Sequence, residues 1–126
     1  MTPLQKQFET LKREYPTATC EALPSGAAVI TIRDFPLPDG WSRPTIRVTF
    51  VAPVGYPLAK PDFFWTSPEL RLRDGAMPHA AVPMLMHEAN GEFQLRFSWH
   101  LNEWNPNRDD LVTFLRVIDH RLQMPQ

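Results

Sequence analysis

The chain has 126 residues, a formal net charge of −1, 43% hydrophobic and 21% charged residues, and a single cysteine, Cys20. That describes one globular domain over residues 1–126, able to bury roughly two-thirds of its unfolded surface without a metal or a disulfide. It excludes an internal disulfide and a multi-cysteine zinc site, gives no electrostatic case for nucleic acid or anionic membrane, and contains no apolar run of about 18 residues that could span a bilayer. The polar start lacks the apolar core of a signal peptide, so a cytoplasmic location is expected. Proline, at 14 residues, predicts short elements and many fixed turns.

Residues 2–15 read as an amphipathic helix. Thr2-Pro3-Leu4-Gln5 has the form of a capping box with proline at the first helical position. Leu4, Phe8, Leu11 and Tyr15 make one apolar stripe, and Pro16 stops the helix. Residues 17–22 and 27–33 read as strands around the turn Pro24-Ser25-Gly26, with Ala28, Ile30 and Ile32 on one face. Residues 36–44 form a proline-rich loop in which Trp41 is expected as an exposed contact. Residues 45–51 alternate, Ile46, Val48 and Phe50 inward and Thr45, Arg47 and Thr49 outward. The stretch Tyr56-Pro57-Leu58-Ala59-Lys60-Pro61 must turn stiffly, because each proline fixes its own φ and restricts the residue before it. Tyr56 is expected to tie this turn to a neighbouring backbone group.

Residues 62–65 read as a fourth strand. From 66 to 90 regular patterning fails, and a long flap is expected, pinned by Leu70-Arg71-Leu72 and Met84-Leu85-Met86. Residues 92–99 alternate again as an extended segment. Trp104-Asn105-Pro106-Asn107 breaks the chain. Asn107 is expected to cap a last helix, with Asp109 and Asp110 in its first turn. Leu111, Phe114, Leu115, Ile118 and Leu122 supply its stripe. The plan is α+β: N-terminal helix, four-stranded antiparallel meander, long flap and C-terminal helix.

This order resembles the ubiquitin-conjugating enzyme (UBC) fold, and local motifs carry the likeness. Tyr56, Pro57 and Pro61 are similar to the family's tyrosine-proline-x-x-x-proline turn. Trp104 and Pro106 resemble its tryptophan-x-proline segment before a helix, and Asn90-Gly91 its asparagine-glycine ahead of the catalytic cysteine. The short C-terminal part resembles compact bacterial UBC-like families. The resemblance implies as partners a ubiquitin-like protein, an activating-enzyme-like protein and a JAB-type metalloprotease.

The chemistry departs from that family. A conjugating enzyme carries its cargo as a thioester, which needs a thiolate. Three residues past Gly91 stands Gln94, and the longer spacing to Trp104 leaves Arg96 or Ser98 as alternative matches. None is cysteine. Cys20 falls in the first strand, where a small buried or half-buried hydrophobe is the simple expectation. The family's histidine-proline-asparagine motif has only His87-Glu88-Ala89-Asn90 as an echo. Ser98, His100 and Glu103 invite a nucleophile, base and orienter reading. His100 alone could serve as a base or contact a bound tail. Trp99 and Trp104 read as packing residues. His79, His87 and His100 lack ligand spacing, so no metal and no cofactor is expected.

The function expected is therefore a cysteine-less UBC-like protein that binds through the sheet face or a cleft formed by Gln94, Arg96, Ser98, His100 and Trp104. The alternatives are an enzyme using His100 or Cys20 by a non-standard route, and a structural adaptor.

Overall fold

The computed structural model describes residues 1–89, 91–99 and 101–126. Helix α1 spans Pro3–Glu14 and begins with the anticipated capping box. The Gln5 amide donates to Thr2 Oγ1 at 3.1 Å and the Thr2 amide to Gln5 Oε1 at 2.9 Å. Two of the helix's orphan donor sites are thereby matched by local side chains. Leu11 is fully buried, with Leu4, Phe8 and Tyr15 packed against the core. Tyr15 stacks on Phe35 at 5.7 Å between centroids.

Strands β1 (Thr19–Ala22), β2 (Ala28–Pro36), β3 (Thr45–Ala52) and β4 (Phe64–Thr66) form the antiparallel meander. Strand β2 runs to Pro36, beyond residue 33. The register shifts between Ile32 and Phe35, and this irregularity returns Phe35 to the core. A bulge breaks the period-2 pattern, which is why the strand's end is not visible as alternation.

The sheet continues past the meander. Residues 81–86 of the flap form β5 (Ala81–Met86), which pairs with β6 (Glu92–Phe97), and β6 pairs with β4. The order of the six-stranded sheet is β1-β2-β3-β4-β6-β5. Pro83 hid β5 in the sequence. It is tolerated because β5 is an edge strand, one side of which carries no ladder.

One face of the sheet carries the main core. Ile30, Ile32, Val48, Phe50, Phe64, Leu95 and Phe97 meet α1 and helix α2 (Leu111–Leu122) there. Phe64 and Phe97 stack at 4.6 Å, and Phe50 meets Phe114 at 5.2 Å. Such ring pairs contribute roughly 0.5–1.5 kcal/mol each beyond area burial.

The opposite face is only partly open. Met86 is buried with Val29 and Trp65, and Ala89, Val51 and Met84 pack against them. The β5–β6 hairpin thus curls over the outer face. Thr49, expected in solvent, is 2% exposed.

Two further expectations are corrected. Asn107 does not cap α2. Asp110 does, its Oδ1 accepting from the Thr113 amide at 2.9 Å while the Asp110 amide donates to Thr113 Oγ1 at 3.1 Å. Asn107 instead donates its amide to Asn105 Oδ1, a tight turn before the helix. Nor is Trp41 an exposed contact. It is 5% exposed, bridges to Leu72, and donates from Nε1 to the Leu122 carbonyl at 2.7 Å. The proline-rich loop folds inward because an indole can bury its rings while satisfying its one donor.

Candidate functional site

The proline turn and the Trp104 segment are one structural unit. Gly55 takes φ +88°, and its carbonyl accepts from the amides of Leu58 and Ala59 at 2.9 and 3.2 Å. The Tyr56–Pro57 peptide is cis. The Pro57 carbonyl accepts from Trp104 Nε1 at 2.8 Å, and the Tyr56 and Trp104 rings lie 6.0 Å apart. Lys60 Nζ donates to the Leu101 carbonyl at 2.7 Å. The turn therefore holds both ends of residues 101–104.

The Tyr56 hydroxyl meets a side chain and not the backbone group expected. It donates to the Gln7 Oε1 atom of α1, and the same oxygen accepts from the Leu111 amide at 3.2 Å, the first residue of α2. Burial first, and then the nearby Asp110 carboxylate, push the phenol's pKa well above its ordinary value. Tyr56 is a neutral hydrogen-bond donor at any physiological pH. Gln7 gives no sign of this role in the sequence, since it looks like any polar residue of an amphipathic helix.

The loop entering α2 is closed by Asp109. Its Oδ2 accepts from the Asn105 amide at 2.8 Å, and Arg108 lies beside it at 3.4 Å. The Asn105 amide first, and then Arg108, lower the Asp109 pKa. A carboxyl depressed in the folded state adds stability above its unfolded pKa, and loses that stability as pH falls through the folded value. Urea unfolding followed from neutral to strongly acidic pH is expected to show this loss on the acid side. Asp109→Asn is expected to flatten that part of the profile. An unchanged acid limb in the variant would show that Asp109 does not couple the loop to folding.

The residues expected to line one cleft are distributed over two places. Gln94 and Arg96 occupy alternate positions of β6, which directs them to the outer face of the sheet, and Ser98 follows the strand with its amide donating to the Ala80 carbonyl at 2.9 Å. Gln94 is 2% exposed, with Oε1 accepting from Arg47 Nη2 at 3.3 Å and Nε2 against Met86 Sδ at 3.6 Å. Arg96 places its guanidinium carbon 4.5 Å from the Phe63 ring centre, and its Nε is buried without a hydrogen-bond partner among the described residues. Trp104 is instead against the Tyr56–Pro57 turn. Trp99 packs on the main core. His100, and Asn90 of the Asn90-Gly91 pair, lie outside the described residues, so the Ser98, His100 and Glu103 grouping does too.

Cys20 is exposed, contrary to the expectation of a buried or half-buried hydrophobe. It sits in β1 at one edge of the sheet, with β2, β3 and β4 between it and β6. It borders a groove with Leu4 and Phe8, and desolvation there raises its thiol pKa. That shift reduces the thiolate fraction that nucleophilic chemistry requires.

A second concavity lies on the outer sheet face beneath the β5–β6 hairpin. Its volume is about 510 Å³, and its walls include Thr31, Arg33, Arg47, Glu88 and Gln94. Arg33 and Arg47 carried no signal in the sequence, because an outward arginine on a strand is the ordinary solvated case. Among the described residues, no group of three or more histidine, cysteine, aspartate or glutamate side chains could hold a metal ion. No described helix is long and apolar enough to cross a membrane.

A family model described as prokaryotic E2 family E matches residues 7–125. No curated protein and no solved structure matches the chain.

Proposed function

The chain belongs to prokaryotic E2 family E, whose place is with ubiquitin-like protein machinery, and we propose that it acts there by binding and without forming a thioester. The single observation that carries this reading is the environment of Gln94. The residue three positions past Gly91 is a carboxamide, buried at 2% exposure and engaged with Arg47 and Met86. A carboxamide has no nucleophilic thiol to accept an acyl group, and this one is not presented to a partner. The sole cysteine stands on the far edge of the sheet with a raised pKa. The unit of Tyr56, Gln7, Pro57 and Trp104 meanwhile keeps the shape around the family motifs. The partners of this reading are the ubiquitin-like protein, its activating-enzyme-like protein and a JAB-type metalloprotease that processes the same protein.

Calorimetric titration against a ubiquitin-like protein and an activating-enzyme-like protein of the same organism is the direct test. Binding to at least one is expected. No measurable binding to either would sink the reading. A second arm incubates the chain with both proteins and ATP, followed by non-reducing electrophoresis. No thiol-sensitive adduct is expected. An adduct that disappears in Cys20→Ser would establish an enzyme using the edge cysteine, and one that persists there but is lost in His100→Ala would assign the chemistry to His100.

A further inference from the structure

The two edges of the sheet differ in how they meet solvent. At one, β5 carries Pro83, a residue with no N–H that natural sheets use to blunt an edge. At the other, β1 contains neither proline nor lysine, and all four of its residues are exposed. The register shows which backbone groups β1 leaves open. Ala22 pairs with Ala28, and next in register the Leu23 amide donates to the Ala27 carbonyl at 2.9 Å. Hydrogen-bonded and non-hydrogen-bonded pairs alternate along an antiparallel ladder. Thr19 and Glu21 therefore exchange their bonds with Thr31 and Val29 of β2, while the N–H and C=O groups of Cys20 and Ala22 point away from the sheet. Among the described residues, no turn or loop bond reaches any of these four groups.

The side chains of β1 divide between two faces. Cys20 and Ala22 line a groove of about 640 Å³ that also takes in Met1, Leu4, Phe8 and Glu9 of the α1 end of the chain. Leu4 and Phe8 are only half-buried and Met1 is 72% exposed, so apolar surface beside β1 is left unmatched. Thr19 and Glu21 open onto the outer face instead, in the wall of the concavity beneath the hairpin. Both faces beside β1 thus carry a carboxylate, and neither Glu9 nor Glu21 forms an ion pair among the described residues. Arg33, on the neighbouring strand, lies four positions past Val29, the partner of Glu21, or roughly 13 Å along extended chain.

We infer that β1 accepts an extended internal segment of a partner polypeptide as a further antiparallel strand, and that this segment has the local pattern apolar, basic, apolar. Its two apolar residues stand opposite Cys20 and Ala22 and exchange two backbone bonds with each. Their side chains share the face of Cys20 and Ala22 and so enter the groove beside Leu4 and Phe8. The basic residue between them stands opposite Glu21 on the outer face. That pair is of the non-hydrogen-bonded kind, in which side chains approach most closely, so the charges meet. Charge selects this occupant over a second copy of the chain. Pairing β1 with itself through the same four groups sets Cys20 against Ala22 and Glu21 against Glu21, and like charges directly opposite repel. The site lies across the sheet from Gln94 and does not rest on the proposed function.

The test uses the full chain, labelled for NMR, and a peptide acetylated and amidated at its ends, with valine-lysine-valine at its centre and threonines on both sides. In the free chain the Cys20 and Ala22 amides are expected to exchange with solvent much faster than those of Thr19 and Glu21. Saturating peptide is expected to slow exchange at Cys20 and Ala22 roughly tenfold or more. N-methylating either valine should weaken binding roughly tenfold or more, because those N–H groups face β1, while N-methylating the lysine should not. Glu21→Lys should weaken the lysine peptide about three- to fivefold, and a peptide with glutamate in that place should bind Glu21→Lys better than it binds the parent. Glu21 is exposed, so the fold is retained, and thermal melting confirms it. No binding at millimolar peptide, unchanged exchange at Cys20 and Ala22 on binding, or indifference to the charge swap would each overturn the inference. Tolerance of N-methyl groups on the valines with loss at the lysine would mark a parallel strand and overturn the register. Slow exchange at Cys20 and Ala22 in the free chain, together with a dimer by light scattering, would give the edge to a second copy and overturn the partner.

Discussion

Replacing Arg121 with alanine is expected to lower folding stability by about 3–4 kcal/mol, read as a fall in the urea midpoint at nearly constant slope. Arg121 is fully buried on the last turn of α2. Its Nη1 donates to the Met124 carbonyl at 2.8 Å, and Nη2 donates to the His79 and Gln126 backbone oxygens at 2.9 and 2.8 Å. Its guanidinium carbon lies 5.3 to 5.7 Å from the ring centres of Phe97, Trp99 and Trp41. No Asp or Glu side chain among the described residues forms an ion pair with it, and desolvation pulls its pKa below the ordinary arginine value. The charge is solvated by backbone oxygens and aromatic faces.

Each bond to a charged donor contributes roughly 1.5–3 kcal/mol, part of which the cost of burying the cation offsets. Alanine removes the donors and leaves a cavity among the rings. Arg121→Met keeps most of the volume and removes the buried charge, so about half that loss is expected. The same clamp joins residues 124–126 to the flap at His79, and Pro125 fills the space where a Cβ on Gly40 would come within 2.6 Å of its Cγ. The alanine variant should therefore also become sensitive to limited proteolysis in that segment. An alanine variant within about 0.5 kcal/mol of the parent would show that the carbonyl clamp contributes nothing.

The contrast between Arg121 and its neighbours explains which parts of the molecule could be read from sequence. Leu11, Ile30, Val48, Phe114 and Ile118 are legible because helix and strand periods place apolar residues on one face, and the structure buries all five. Thr2 and Gln5 are legible because a capping box is a local chemical fit. Tyr56, Pro57, Trp104 and Pro106 were legible as family motifs, and the match over residues 7–125 supports the resemblance. In the sequence Arg121 looks like any basic residue suited to the C-terminal end of a helix. Its burial depends on Trp41 arriving from the proline-rich loop and Phe97 and Trp99 from the end of β6, and no local pattern encodes that.

The same cause hid the site geometry. Gln94 reads as an outward residue of an alternating strand, and becomes buried only because Met86 folds over it. Pro83 masked β5, since a proline argues against a strand unless the strand is known to lie at an edge. Cys20 went the other way. A small thiol in a strand is most often interior, but β1 is the opposite edge of the sheet, and every one of its residues is exposed.

Trp104→Ala is the second large effect, expected to cost about 3 kcal/mol, at the lower end of the range for removing a large aromatic because the ring is only partly buried. The indole makes the hydrogen bond to Pro57 and the ring contact with Tyr56. Tyr56 in turn reaches Gln7, which also holds the first amide of α2. The loss should therefore spread to elements that Trp104 does not touch. Hydrogen exchange is expected to show reduced protection at the start of α2 in Trp104→Ala, beyond any global destabilisation. Tyr56→Phe keeps the ring and removes only the hydroxyl, so about 1 kcal/mol is expected. Tyr56 and Trp104 share one packed unit, so their changes should not add. In a double-mutant cycle of Tyr56→Ala with Trp104→Ala, a coupling of at least about 1 kcal/mol is expected. Strict additivity would separate the proline turn from the Trp104 segment. The two motifs would then be neighbours in space with independent energies, and the turn would not be what holds residues 101–104 in place.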